Sequence, residues 1–364
     1  GLAYVTATLK ERGYIYDCID LHTEEIMRRK PFDFWERIQE FDLASYDVVA
    51  FGGVFLKFED LQYLSSRIRE NHSHIFQTVG GNMATMTPDV VLKRTQVDCI
   101  CLYEGEETII DLIQTLEKGT DWRDVKSIKY RDENGAPISS PSRPKLSAEK
   151  VPRLPDRESW DFDLIRKAYP AGSPGRYSAV VFASRGCPFT CTFCKPLTGK
   201  EIRTREIESI IHEIKYLKER WNVQYVRFFD EVFIGSKFRI RALCEAMIEE
   251  NLNVFWWCQT QVRLIDEDLL KVMKKAGCIE IAYGVESGSD VMLEDMKKGI
   301  NVDIIREVLE ATDRANIRIT LNLLAGTPAE TVDTLRETRD FLIDLNHINW
   351  ANVPAIEFVV PLPG

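Results

Sequence analysis

Short apolar runs alternate with segments of helical periodicity from Leu2 to Val360. This alternation narrows the fold more than any other feature, because parallel strands need long crossover connections, and those are helical and right-handed. In the first 120 residues, Leu2 to Arg12 reads as a helix, Tyr14 to Leu21 as a strand, Asp47 to Gly53 as a strand and Leu61 to Glu70 as a helix. Strand Ile75 to Val79, helix Asp89 to Arg94, strand Val97 to Tyr103 and helix Glu106 to Glu117 follow. The pattern is that of an α/β, doubly wound (Rossmann-like) sheet. Gly52, Gly53, Gly80, Gly81 and Gly105 fall just past strands. There a residue without Cβ lets a ligand approach the backbone, although turn geometry alone also favours glycine.

Residues 121–176 differ in character. Lys126 to Tyr130, the turn Asp132-Glu133-Asn134-Gly135 and Ala136 to Ser139 read as a hairpin, since Asn-Gly is a strong hairpin signal. Pro141, Pro144, Pro152 and Pro155 then mark a connecting strap, because proline cannot donate its backbone nitrogen to a helix. From Tyr177 the alternation resumes, with strands at Ala179–Ser184, Tyr225–Phe229, Val254–Cys258, Ile279–Tyr283, Ile317–Leu323 and Ile356–Val360. Six such strands are too few for a closed eight-stranded barrel and imply an open (β/α)6 partial TIM barrel. Between the first two, Ile207, Ile210, Ile211, Ile214 and Leu217 form the core stripe of a helix, leaving His212, Glu213 and Lys215 as solvated charges. The expected organisation is a first domain over 1–120, a hairpin and linker over 121–176, and the partial barrel over 177–364.

The first barrel strand runs into Cys187-Pro188-Phe189-Thr190-Cys191-Thr192-Phe193-Cys194, a C-x3-C-x2-C spacing. Three thiolates in one tight loop can hold three irons of a four-iron cluster and leave the fourth open. Soft donors favour iron–sulfur or zinc. A structural zinc site needs a fourth ligand, and no His or Cys follows at finger spacing; His212 lies inside a helix. A zinc site and three unrelated core thiols are the alternatives. Cys18, Cys99, Cys101, Cys244, Cys258 and Cys278 lie in or beside apolar segments and read as small buried hydrophobes; Cys258, at a strand end, is the one placed for chemistry.

Polar residues just past barrel strands are candidates for a site. After the second strand come Asp230 and Glu231, suited to a cationic amine but also to a helix N-terminus. Gln259, Gln261 and Arg263 follow the third, Glu286 and Ser287 the fourth, and Asn322, Gly326 and Pro328 lie at or beyond the end of the fifth. An ionised Glu286 in such a cleft needs a partner, which ribose hydroxyls could supply. Acidic residues number 57 against 47 basic, a net charge of −10, so a nucleic-acid partner is not expected. Nine cysteines without a secretory signal fit a reducing, cytoplasmic setting. Apolar stretches such as Val48 to Leu56 are far short of the ~20 residues that span a bilayer.

The cysteine spacing, with Phe193 before the last cysteine, resembles the signature of the radical S-adenosylmethionine (SAM) superfamily. That resemblance implies a [4Fe-4S] cluster on Cys187, Cys191 and Cys194, and SAM on the open iron. It implies SAM contacts at Phe193, Asp230, Glu231, Gln259, Arg263, Glu286, Ser287, Asn322, Gly326 and Pro328, with Phe-Asp-Glu replacing the usual Gly-Gly-Glu.

Gly1-Leu2-Ala3-Tyr4, Glu11-Arg12-Gly13-Tyr14, Val79-Gly80-Gly81-Asn82-Met83-Ala84 and Tyr103-Glu104-Gly105-Glu106-Glu107-Thr108 resemble the cobalamin-binding domain that precedes many such enzymes. This implies a corrinoid over Gly52, Gly53, Gly80, Gly81, Asn82, Glu104 and Gly105. Asp20-Leu21-His22 imitates half of an Asp-x-His-x-x-Gly cobalt-ligand motif, but position 25 is Glu, so His22 is expected at the surface.

The function so implied is cobalamin-dependent C-methylation of an unactivated carbon in a small-molecule or natural-product substrate. An external electron donor of flavodoxin or ferredoxin type would serve it. Anaerobic oxidative cyclisation or rearrangement is the alternative reaction, and a non-enzymatic corrinoid- or redox-sensing module the alternative class. Methylthiotransferases fit less well, since Cys18, Cys99 and Cys101 do not follow their cluster spacing. The family fold opens with a strand before the first helix and continues past a Pro-Gly-Thr turn, so a preceding strand and a C-terminal cap are expected beyond this sequence.

Overall fold

Three short apolar strands, β1 (Val48–Phe51), β2 (Phe76–Val79) and β3 (Cys99–Cys101), pair in parallel in that order. The computed structural model describes residues 1–28, 32–53, 57–151, 154–168, 177–348, 350 and 354–359. The chain divides into a unit over Gly1–Tyr169 and a unit over Pro170–Pro361.

In the first unit the alternation of β3 separates its two faces: Ile100 packs with Leu61, Val79, Val91 and Leu92, while Cys99 and Cys101 pack with Ile109, Ile110 and Leu112. Helices Phe58–Asn71 and Pro88–Arg94 thus cover one face and helices Leu2–Glu11 and Glu106–Glu117 the other. The hairpin β4 (Ile128–Arg131) and β5 (Pro137–Ser139) extends the same sheet antiparallel from β3. It is part of the first core, with Val125 and Ile128 buried there. The proline strap returns to this unit as well. Asp156, almost fully buried, accepts from the Tyr16 hydroxyl at 2.7 Å and the Ser159 backbone N–H at 3.2 Å. Pro152 lies outside the described residues.

Tyr14 to Leu21 differs from the expected strand. It alternates like one, yet no ladder forms; Ile15 is fully exposed, and helix Leu21–Arg28 begins where the strand should end. The alternation instead seats Tyr16 on Asp156 and Tyr14 on Glu117, so side-chain anchors replace a sheet partner. His22 stands half-exposed beside Glu25, 3.7 Å from its carboxylate.

The second unit is a curled, all-parallel partial barrel of order β13-β12-β11-β10-β9-β6. Its strands are β6 (Ser178–Val181), β9 (Tyr225–Phe228), β10 (Phe255–Thr260), β11 (Cys278–Glu286), β12 (Arg318–Ala325) and β13 (Ala355–Phe358). A separate two-stranded ribbon, β7 (Ser184–Arg185) with β8 (Arg203–Thr204), brackets the cysteine loop. Val360, the expected end of the last strand, lies outside the described residues.

Register sorts the barrel's side chains into two rows. Val226, Phe228, Trp256, Cys258, Ile281, Tyr283, Ile319, Leu321 and Leu323 are all buried. The opposite row carries Arg227, Trp257, Gln259, Glu280, Gly284 and Asn322, because Arg227 pairs with Trp257, Trp257 with Glu280, and Gly284 with Asn322. The polar row climbs toward the carboxyl ends of the strands, where parallel sheets bind ligands.

Gly277 makes the turn from helix Glu267–Lys275 into β11 at φ +99°, and a Cβ there would lie 2.2 Å from the Val254 carbonyl oxygen. Gly277→Ala should therefore destabilise this unit by about 2 kcal/mol or more. An unchanged denaturation midpoint would show that the turn relaxes freely.

Candidate functional site

The cysteine loop leaves the barrel at a corner whose backbone is satisfied on both sides. Asp230, 0% exposed, accepts from the backbone N–H of Ala183 at 3.0 Å, from the Ser184 N–H and from the Ser184 hydroxyl at 2.6 Å. Arg205 takes the other side: its guanidinium donates to the Phe182 carbonyl at 2.8 Å and to Glu213 Oε2 at 2.6 Å. Glu213 is fully buried in this ion pair rather than solvated, because the helix stripe that carries it faces Arg205.

Glu231 reaches the loop itself. Its Oε2 accepts from the Gly186 N–H at 3.0 Å and from the Thr198 hydroxyl. The adjacent acids thus have separate tasks. Asp230 is enclosed and occupied, so Glu231 is the member of the pair that faces open space. Gly186 sits at φ +99°, and a Cβ there would lie 2.0 Å from the Glu201 carbonyl oxygen, so only glycine permits the turn into Cys187. The Cys187 N–H donates to the Gly199 carbonyl at 3.0 Å and the Thr192 N–H to the Met296 carbonyl at 3.1 Å.

Cys187 and Cys191 are half-buried, and Cys194 is exposed. Burial lifts the Cys187 and Cys194 thiols above their ordinary range, with the neighbouring cysteines and Glu231 adding to it; the Phe189 N–H and Lys298 pull Cys187 back. Three thiolates together therefore need a cationic centre. Among the described residues no three His, Cys, Asp or Glu side chains close on one metal ion. Three cysteines with no fourth His or Cys at finger spacing fit a cluster better than a structural zinc site.

The rest of the polar row surrounds this loop. Gln259 donates its Nε2 to the Asp230 carbonyl at 2.7 Å. Gln261 points its Nε2 at Cys191 Sγ, 3.8 Å away, while its Oε1 is buried without a partner among the described residues. The hydroxyls of Thr327 and of Thr260, the latter on the buried row of β10, are likewise buried and unpartnered among the described residues. Such atoms are costly unless something completes them, and they lie at the ends of β10 and just past β12. Arg263 lies 4.0 Å over the Phe189 ring rather than on a carboxylate. Phe193 is exposed, Asn322 lies on the polar row, and Gly326, at φ +86°, donates its N–H to Glu330 at 2.8 Å beside Pro328. Ser287 is buried and shares a 3.1 Å hydrogen bond with the Thr338 hydroxyl.

Glu286 already has a partner, Lys298, whose Nζ donates to its Oε1 at 3.1 Å. Burial raises the Glu286 carboxyl above its ordinary range and Lys298 opposes the rise. Lys298 escaped the sequence-based expectations, because Met296-Lys297-Lys298-Gly299 reads as a solvated turn. Cys258 is interior to β10, which runs two residues further than expected, to Thr260. Its thiol is fully buried and pushed up by that burial, so it belongs to the core.

In the first unit, Gly52 and Gly53, Gly80 and Gly81, and Gly105 follow β1, β2 and β3, so three neighbouring strand ends carry glycine turns. A Cβ on Gly80 would meet nothing nearer than the Cys101 carbonyl oxygen at 3.6 Å, whereas one on Gly81, at φ +95°, would lie 3.3 Å from the Gly53 carbonyl oxygen. Asn82 opens a short helix, and Glu104 accepts from the Leu146 N–H at 3.0 Å.

An open parallel half-barrel with three cysteines in its first loop agrees with the resemblance that the cysteine spacing carries. Residues 181–342 match the model of the radical SAM superfamily, and the chain carries a radical SAM domain, the domain that works with a [4Fe-4S] cluster and SAM. Its relatives include an uncharacterized methyltransferase of Pyrococcus horikoshii, 27% identical over 100% of this chain and 76% of that protein. The anaerobic magnesium-protoporphyrin IX monomethyl ester cyclase of Rubrivivax gelatinosus is 27% identical over 78% of this chain and 52% of its own length, so the match spans about half of that enzyme. The fold matches the radical SAM methyltransferase TsrM from Kitasatospora setae, solved with cobalamin and a [4Fe-4S] cluster, with a TM-score of 0.81 and 17% identity over 98% of this chain and 68% of that one. Among the described residues no helix is long and apolar enough to cross a membrane.

Burial outweighs the hydrogen bonds to Asp230 and raises its pKa to about 6. A carboxyl whose folded pKa exceeds its unfolded one stabilises the fold in its protonated form. That contribution is complete below about pH 4 and is lost as pH rises through about 6. Between about pH 4 and 6 the wild type should lose about 1–3 kcal/mol more stability than Asp230→Asn. Parallel pH profiles for the two proteins would show that Asp230 is not the titrating group.

Proposed function

We propose that the protein is a cobalamin-dependent radical SAM enzyme that methylates an unactivated carbon of a small-molecule or natural-product substrate. The observation that carries this reading is the C-x3-C-x2-C loop at the end of the first barrel strand, pinned by Glu231 and met at Cys191 by Gln261. When bound, the cluster supplies one electron to cleave a C–S bond of SAM and so create a hydrogen-abstracting carbon radical, and a corrinoid supplies a transferable methyl group.

The chain's own residues bind and orient. Cys187, Cys191 and Cys194 ligate the cluster, and Glu231 holds their loop open toward the barrel. Gln261 would offer hydrogen bonds to the amino-acid end of SAM, Glu286 to its ribose, and Phe193 with the Gly326–Pro328 turn contacts to its adenine. Gln259, Asn322, Arg263, Ser287 and Asp230 shape and stiffen this wall. In the first unit the glycine turns at 52–53, 80–81 and 105, with Asn82 and Glu104, form the seat proposed for a corrinoid without a cobalt-ligating imidazole. The methyltransferase and cobalamin-bound relatives support that part of the reading. A flavodoxin- or ferredoxin-type donor would supply the electron, in the cytoplasm. The cyclase relative favours oxidative cyclisation as the second reading.

Protein reconstituted anaerobically with iron and sulfide should show a visible charge-transfer band that the triple Cys187, Cys191, Cys194→Ala variant lacks. When reduced, it should convert SAM to 5′-deoxyadenosine. A full cluster in the variant would refute the ligand assignment, and a loaded but inert wild type would favour a sensing role. Methyl-labelled SAM should pass its label to protein-bound cobalamin; deoxyadenosine without label transfer would point to cyclisation.

Gly80→Ala should lower cobalamin affinity at least about tenfold while leaving thermal stability unchanged, because its Cβ meets only ordinary contacts within the protein. Cobalamin bound equally well by the variant would remove Gly80 from the seat. Nitrogen splitting in the Co(II) spectrum that vanishes in His22→Ala would contradict the absence of an imidazole ligand.

A further inference from the structure

Lys298 is almost entirely enclosed, with its side chain 2% exposed, and its Nζ meets Glu286 Oε1 at 3.1 Å. Three features of β11 converge on that contact. The register against β12 shifts between Gly284 and Glu286, and such irregularities re-aim a side chain beside a site. Glu286 adopts φ +74°, a conformation uncommon for a residue with a Cβ and kept where the surroundings enforce it. A Cβ on Gly284 would lie 2.7 Å from Glu286 Oε1 and 3.6 Å from Lys298 Nζ, so glycine leaves the space in which carboxylate and ammonium meet.

The same segment holds the cysteine loop. Lys298 Nζ lies 5.7 Å from the centre of the Phe193 ring, within reach of a cation–π attraction. Two residues earlier, the Met296 carbonyl accepts the Thr192 N–H at 3.1 Å. Thr192 and Phe193 are the two residues between the second and third cysteines. One turn therefore grips both that loop and the carboxylate at the end of β11.

A buried ion pair gains little stability after desolvation, and a strained backbone adds to its cost, so core packing does not account for the arrangement. We infer that Lys298 is a positioning residue for the nucleoside end of SAM, occupying Glu286 Oε1 so that Oε2 is left to accept from the ribose hydroxyls. Its contact with Phe193 keeps that carboxylate in register with the cysteine loop. The inference rests on the radical SAM reading above and adds a residue to it. Without the ammonium, Glu286 is a buried carboxylate lacking its counter-charge and its fixed orientation.

The test is anaerobic equilibrium dialysis of the reconstituted protein against SAM and against its 2′-deoxyadenosyl analogue. Wild type should prefer SAM about tenfold, the strength of a hydrogen bond to a charged group. Lys298→Met should bind SAM about tenfold more weakly and lose the preference, with iron and sulfide content unchanged, and Lys298→Arg should recover part of both. Gly284→Ala, which keeps Lys298 but crowds Oε1, should also lose the preference, and it carries the test if Lys298→Met does not fold. A preference retained in both Lys298→Met and Gly284→Ala, or equal weakening of both ligands together with loss of the cluster, would overturn the role. Wild type that binds SAM without preference would overturn it too, whereas wild type that binds neither ligand refutes the radical SAM reading itself.

Discussion

The cysteine loop depends on one enclosed corner. Where β6 ends, the chain must turn out of the barrel, and the backbone amides and carbonyls of residues 182–184 lose their ladder partners. Asp230 accepts from the amides and Arg205 donates to the carbonyls, with Glu213 neutralising the arginine from inside the neighbouring helix. Unpaired buried backbone groups are expensive, so these three charged side chains together stabilise the corner. Glu231, next in the chain to Asp230, then extends the same anchorage to Gly186 at the entrance of the cysteine loop.

The barrel's two rows give that corner something to act on. Register puts Gln259 level with Ala282 and Thr320, and Gly284 level with Asn322 two residues nearer the carboxyl ends, and the loops beyond reach the cysteine loop through Gln261 and Met296. Order comes from hydrogen bonds between elements: Gln259 to the Asp230 carbonyl, Thr192 to the Met296 carbonyl, Lys298 to Glu286. Beside them, Gln261 Oε1 and the Thr327 hydroxyl are buried without a partner among the described residues. A wall this well braced, with a few buried polar atoms left open, suits a preorganised ligand site.

Much of this was legible in the linear chain. The strand–helix alternation gave the order of β1 to β3 and of the barrel strands, because apolar runs buried between helices carry their own signal. The failure at Tyr14 to Leu21 came from the same rule: alternation reports which side chains turn inward, and Tyr16 turns inward to Asp156 without any neighbouring strand. Glu213 misled for a related reason. A charge on a helix reads as solvated until the residue that faces it is known, and Arg205 lies on a different element.

By itself, then, the sequence determined the two α/β units, the cysteine spacing, and the strand ends at which polar residues gather, since all of these follow from local periodicity and short-range spacing. The tertiary structure decided how those residues are used. Only register and the positions of loops could enclose Asp230 while leaving Glu231 open, bury Cys258, turn Gln261 to Cys191, and bring Lys298 onto Glu286. Partnership between buried charges is a property of three-dimensional proximity, and the dielectric cost of leaving one unpaired makes the choice of partner decisive.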